Sequence, residues 1–273
     1  MVAPMIGHTS VVGSLLREWR GVRRMSQLDL AMAAEVSPRH LSFVETGRAV
    51  PSREMVLTLA KALEVPVRDR NAMLTAAGYA PLYRETSLDD PKMADMRHAL
   101  GLLLRQNEPF LAVALDRRWD IVMCNTPYAR FLAMVGGGAL EPHRVLPPPR
   151  LNLLRLLFGP LRPLVVNWEE VAREVLERAQ REAASDRDPA RRQIVEECWK
   201  AAPEEWRRPR AEASPRLVVT VDLRLGETRV RLFSTITTLG TAQDITLQEL
   251  HIESFHPADA EAEGLLRGMA LDG

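Results

Sequence analysis

The first 84 residues are punctuated by helix-start and helix-stop signals, spaced too closely for anything but short helices packed on one another. Ser26 is a good N-cap with Asp29 in the following turn, where a carboxylate suits the helix dipole. Ser37 opens the next stretch, with Pro38 at the first helical position where its missing N–H costs nothing, and Gly47 fits a left-handed C-cap. Pro51-Ser52 opens another, and Gly78 closes the last. Apolar residues recur at three- and four-residue spacing: Leu15, Leu16, Trp19 and Val22; then Leu28, Ala31 and Ala34; then Leu41 and Val44; then Met55, Val56, Leu59, Ala60 and Leu63; then Met73 and Leu74. This pattern predicts five amphipathic helices, the first over about 12–22 and the last over about 67–77.

Composition bounds the rest. The 273 residues carry 36 Lys+Arg against 36 Asp+Glu, with 46% hydrophobic and 26% charged, which excludes disordered, collagen-like and disulfide-scaffold classes. Two cysteines, Cys124 and Cys198, make neither a disulfide framework nor a CxxC knuckle. No run of 18 apolar residues spans a membrane, and MVAPMIGHTSVVGSLL is a poor signal peptide, so a reduced cytoplasmic setting is expected. The neutral total hides an asymmetry. Residues 1–84 hold eleven Arg/Lys and seven Asp/Glu, an excess of +4 that the remainder cancels, which hints at an anionic partner for the first segment.

Only Glu35, Val36 and Ser37 separate the second and third predicted helices, about the length a helix-turn-helix needs. Periodicity alone leaves a plain helical bundle and a DNA-binding module equally open. The ordered elements Ser26-Gln27-Leu28-Asp29-Leu30-Ala31, Val36-Ser37, Leu41-Ser42-Phe43-Val44-Glu45-Thr46-Gly47-Arg48, Pro51-Ser52 and Leu57-Thr58-Leu59-Ala60-Lys61-Ala62-Leu63 resemble the lambda-repressor-like, XRE-type helix-turn-helix family over about 11–78. The resemblance implies an all-α DNA-binding domain, with double-stranded DNA as the partner. By position it implies that Gln27 touches a phosphate and braces the recognition helix. Arg39, His40, Ser42 and Phe43 then face the major groove, with Arg48 on the backbone and Ser37 also among the DNA-binding residues. An Arg fork pairs with guanine O6/N7, and an exposed Phe covers a thymine methyl. Phe43 also suits a core position, and His40 a solvated one. A unit this small reads few base pairs, so a homodimer on a two-fold site is expected.

Residues 79–92 form a polar linker with two prolines, placing the boundary near 85 and dividing the chain into 1–84 and 85–273. The second part predicts a helix over about 93–105, then two strands within 110–124 around Asp116-Arg117-Arg118, then a helix over about 126–135. Helices at about 151–158, 167–183 and 189–200 follow, then strands at 216–225, 228–239 and 246–256. Two strands, a helical stretch and three strands resemble a PAS-like α+β domain, a five-stranded antiparallel sheet covered by helices. Asn152-Leu153-Leu154-Arg155-Leu156, Leu161-Arg162-Pro163 with Asn167-Trp168, Phe233-Ser234-Thr235, Leu239-Gly240-Thr241 and Asp244-Ile245-Thr246-Leu247 resemble the MmyB-like transcription regulators, over about 12–267.

That resemblance implies a small apolar effector, a fatty acid or similar lipid, and no other cofactor. Phe131, Leu154, Leu157, Phe158, Trp168, Val171, Phe233 and Ile236 are the candidate pocket residues, although they describe an ordinary closed core equally well. A cavity lined by them would hold an acyl chain at about 0.8 kcal/mol per buried methylene. Arg155 and Arg162 are cations available to a carboxylate head group or to a salt-bridged surface.

Nothing in the sequence assembles a catalytic or metal centre, so a non-enzymatic protein is expected. His98, His143, His251 and His256 are scattered, and the adjacent pairs Asp89-Asp90 and Glu169-Glu170 do not converge as acid–base dyads. A self-cleaving Ser-Lys protease is not expected, because only Lys92 and Lys200 follow residue 84, neither on a predicted strand. The alternative to a gene regulator is a small-molecule-binding or enzymatic second domain whose helix-turn-helix contacts protein; steep salt dependence of DNA binding separates the two.

Overall fold

In the computed structural model the described residues are 11–136, 138–184, 188–207, 219–240 and 242–271. The chain divides into two compact units, one of residues 1–86 with 240–248, the other of 87–239 with 249–273.

The first unit is the predicted bundle of five helices: α1 (Val11–Val22), α2 (Gln27–Ala33), α3 (Pro38–Thr46), α4 (Arg53–Ala62) and α5 (Val67–Ala76). Ser26, Ser37 and Ser52 each accept a hydrogen bond from the amide three residues on, and Ser26 with Asp29 completes a capping box. Gly47 ends α3 at φ 78°, where a Cβ would be strained. Leu16, Leu30, Leu41, Val44, Leu59 and Leu63 form the centre of the core. Two expectations fail: Leu28 and Val22 are more than half exposed. Leu30 takes the inward place expected of Leu28, because α2 spans only seven residues and presents just one row to its neighbours.

The short connection between β-strands of the second unit, Gly240–Gln248, belongs to this first unit, although the sequence places it in the second. Asp244 accepts from the Thr86 amide and from its hydroxyl at 2.6 Å, and the Ile245 amide donates to the Arg84 carbonyl at 2.8 Å. Gln248 Oε1 accepts from the Val67 amide at 2.8 Å. That bond replaces the side-chain cap that Pro66 cannot provide at the start of α5.

The second unit begins with α6 (Ala94–Gln106) and is organised by one antiparallel sheet of five strands: β1 (Leu111–Leu115), β2 (Ile121–Cys124), β3 (Thr220–Leu225), β4 (Thr228–Thr238) and β5 (His251–Pro257). Their order across the sheet is β2-β1-β5-β4-β3. Between β2 and β3 run α7 (Thr126–Met134), α8 (Leu153–Phe158), α9 (Trp168–Ala184) and α10 (Pro189–Ala201). Asn125 caps α7 and is fully buried. Its Oδ1 accepts from the Ala112 and Tyr128 amides, and its Nδ2 donates to the Leu104 and Phe110 carbonyls.

Three features depart from expectation. Trp119 sits in the β1–β2 turn at φ 68°, not on the strand. The predicted strand at 246–256 begins only at His251, because Ile245–Glu249 forms a helical turn, α11, held by the contacts to residues 84 and 86. A terminal helix, α12 (Ala260–Leu271), follows β5 where no helix was expected. Residues 208–218 lie outside the described residues, so the start of the predicted strand at 216 and its Leu217 do too.

Candidate functional site

The turn between α2 and α3 is braced from beneath by a buried ion cluster. Glu45 of α3 is 2% exposed. Its carboxylate accepts from Arg20 Nε at 2.7 Å and Nη2 at 3.1 Å, and from Gln27 Nε2 at 2.9 Å. The cluster ties α1, α2 and α3 together, with both carboxylate oxygens accepting. Gly13 belongs to the same junction, since a Cβ there would lie 2.4 Å from the Glu45 carbonyl oxygen. Gln27 is therefore placed to brace α3, as its position implied. Glu45 and Arg20 were not singled out in the sequence, although a charged residue one place after the inward Val44 is a sign of a buried partner.

Above this brace α3 presents polar and cationic groups outward. Ser37, Arg39 and Arg48 are exposed; His40, Ser42 and Phe43 are half-buried. Phe43 lies outside the core cluster, and its ring is flanked by the guanidinium groups of Arg39 at 5.4 Å and Arg48 at 6.0 Å. The positive end of the α3 dipole and these two cations together make an anion-seeking ridge.

In the second unit, the face of the sheet bearing Leu111, Val221, Leu232 and Phe255 looks into a hollow of about 220 Å3, lined on the other sides mainly by α7, α8 and α9. A neighbouring hollow of about 490 Å3 shares Leu111, Phe131, Leu223 and Leu232 with it. Of the candidate pocket residues, Phe131, Leu157 and Val171 line the first hollow. The others do not. Leu154 is fully buried behind it. Phe158 and Trp168 form an aromatic wall with Trp206, in which Trp168 stacks on Trp206 at 5.4 Å and donates from Nε1 to the Leu157 carbonyl. Phe233 pairs with His256 on the opposite sheet face, as strand alternation requires. Ile236 is 47% exposed.

Neither expected cation reaches the hollow. Arg155 is paired with Glu197 at 2.7 Å, and Arg162 stacks over Trp168 at 4.2 Å. The lining cation is Arg178 of α9, its guanidinium 4.3 Å from the Trp119 ring. Val171, Glu174, Val175 and Arg178 share one helical stripe, and all four line the hollow. Two charges on an apolar stripe were the sequence signal for this site. Glu253 of β5 and Ser234 of β4 complete the polar end. Burial, opposed by Arg178 and a Ser234 hydrogen bond, pushes Glu253 above the ordinary carboxylate range. Burial, aided by the charges of Arg178 and Arg191, pushes the nearby His251 down to about 4.

Both cysteines are buried and free, and burial pushes the Cys124 thiol up to about 12 and Cys198 up to about 11, so neither offers a thiolate. Among the described residues no three His, Cys, Asp or Glu side chains gather as metal ligands, and no helix is long and apolar enough to cross a membrane.

No curated protein matches the chain. Residues 11–73 match a helix-turn-helix domain, the segment that carries the Arg39–Phe43–Arg48 ridge. Residues 96–269, which hold the sheet and both hollows, match the MmyB-like transcription regulator ligand binding domain. That match covers more than half of the chain, which therefore belongs to the MmyB-like transcription regulators.

Proposed function

We propose that this chain is a cytoplasmic, homodimeric regulator that reads double-stranded DNA through α3, with a PAS-like second domain that takes an elongated apolar effector, a fatty acid or similar lipid. The observation that carries the effector reading is the lining of the two adjoining hollows: mostly apolar, along Leu111, Phe131, Leu223 and Leu232, with Glu174, Arg178 and Glu253 the charged groups of the first and Glu108 and Arg130 those of the second. Such walls reward a straight acyl chain with about 0.8 kcal/mol per methylene and offer little to a polar metabolite. On the DNA side, Arg39 and Arg48 supply the forks for bases or phosphates, and Phe43 between them supplies an apolar face for a thymine methyl. For the effector to matter, it must bind the DNA-competent and incompetent states with different affinities, and DNA must change effector affinity by the same factor.

Native mass spectrometry of the purified protein tests both halves. A two-subunit particle carrying an acyl mass supports the proposal; a single subunit that takes up no added fatty acid overturns it. For DNA, Arg39→Ala is expected to relax preference at one base position by roughly 1–3 kcal/mol in binding assays across an operator library. Uniform weakening on all sequences would reassign Arg39 to the phosphate backbone.

A further inference from the structure

The polar end of the first hollow is left open in a specific way. Arg178 Nε and Nη2 are buried with no hydrogen-bond partner among the described residues, and so is Glu253 Oε2. Glu253 is 5% exposed, and its nearest cation is Arg178 Nη2, 3.8 Å away, too far for a hydrogen bond. Both side chains line the hollow. Two buried charges facing one another with their best atoms unpaired cost stability that an ordinary core would have removed.

The surroundings leave this pair isolated. On α9, Glu182 meets Arg178 Nε only at 3.6 Å and is held by Arg191 of α10 at 2.7 Å. Glu174, also on α9, lines the same hollow. On α7, the Tyr128 hydroxyl is kept neutral by burial and by Glu253 itself. On β5, His251 is neutral above about pH 4. From β4 Ser234 offers a hydroxyl, and the directly paired residues Val113 and Ile236 are apolar. Arg178 is thus the one Arg or Lys among the described residues that line this hollow.

We infer that the effector's head group is a carboxyl that lodges between Arg178 and Glu253 and shares a single proton with Glu253, so that binding draws a proton from solvent. This rests on the acyl-effector reading above and deepens it. Charge bookkeeping requires the proton. An ionised ligand beside an ionised Glu253 would put two negative charges against one guanidinium in a desolvated site. With one proton between the two carboxyls, the trio of Arg178, Glu253 and ligand is neutral. One carboxyl oxygen then accepts from Arg178, and the shared proton bridges to Glu253 Oε2, which fills the atoms left unpaired. A fatty alcohol satisfies one of these partners and needs no proton.

Calorimetric titration of the full chain with dodecanoate and with dodecanol at pH 8, in phosphate and in Tris, reads this directly, because the two buffers differ in ionisation heat. About one proton taken up per dodecanoate and none per dodecanol is the expected result. Glu253→Gln supplies an N–H donor in place of the shared proton, so it should bind dodecanoate at least as tightly at pH 8 with no proton uptake. Arg178→Gln should weaken dodecanoate by about ten-fold or more and dodecanol by less than about three-fold. Dodecanoate binding by the native chain without proton uptake overturns the shared proton while the acyl effector stands. Failure of both probes to bind overturns the two together. Should either variant fail to fold, the buffer comparison on the native chain still decides the matter.

Discussion

Glu45 in the DNA-reading unit and Glu253 in the sheet domain are both almost fully buried carboxylates with an arginine nearby. Around Glu45 three N–H donors lie at 2.7–3.1 Å. Around Glu253 the guanidinium stands off at 3.8 Å, and one oxygen has no partner. The physical cost of burying the charge is similar, but only the first site recovers it within the fold. A closed cluster of this kind fixes geometry, here the angle of α3 under its cationic ridge. An open one leaves bonding capacity unused within the fold.

The largest effect that would break the contrast is at the closed site. Glu45→Ala strands the Arg20 guanidinium and the Gln27 amide, and should cost about 3–5 kcal/mol in urea unfolding, with DNA binding lost alongside. A cost under about 1 kcal/mol would mean that the cluster braces nothing. Next comes acid. His251, beside the open site, has its pKa lowered from 6.5 to about 4 in the folded chain, so the unfolded chain binds more protons and stability falls as pH drops from 6.5 towards 4. The full loss is roughly 3 kcal/mol, and His251→Gln should flatten that part of a pH–stability curve.

Gly13→Ala follows, at about 2 kcal/mol, because its new Cβ meets the Glu45 carbonyl oxygen and the α1–α3 contact must open. A thermal melt of this variant checks whether backbone closeness, as well as the ion cluster, holds α3. The smallest effect belongs to Glu253→Gln in ligand-free protein, within about 1 kcal/mol of native and in the stabilising direction at high pH, since removing an unpaired buried charge relieves its desolvation. A large destabilisation there would place Glu253 with Glu45 as a structural group and erase the comparison.

What could be read from the sequence was local. Ser26, Ser37, Ser52 and Gly47 act through bonds spanning three or four residues, so their roles follow from neighbours in the chain. The two-strand, helices, three-strand order also follows from local periodicity. Partners far apart in sequence could not be read this way. Arg155 and Arg162 were the cations that the sequence offered for a head group, yet the path of α9 along the sheet puts Arg178 on the lining of the first hollow instead. Phe233 and Ser234 are adjacent, yet strand register sends one to each face, so that Ser234 lines the hollow and Phe233 does not. Ile245–Glu249 alternates like a strand but becomes a helical turn because residues 84 and 86 capture it.

That capture has a practical meaning for anyone dissecting the molecule. The DNA-reading unit includes Gly240–Gln248, a loop that arrives on the end of β4 and leaves into β5, the strands bearing Ser234 and Glu253. A fragment cut after Thr86 would lack the glutamine that caps α5 and the aspartate that secures Thr86. No single cleavage releases an intact reading head; an autonomous version would need residues 240–248 grafted back on.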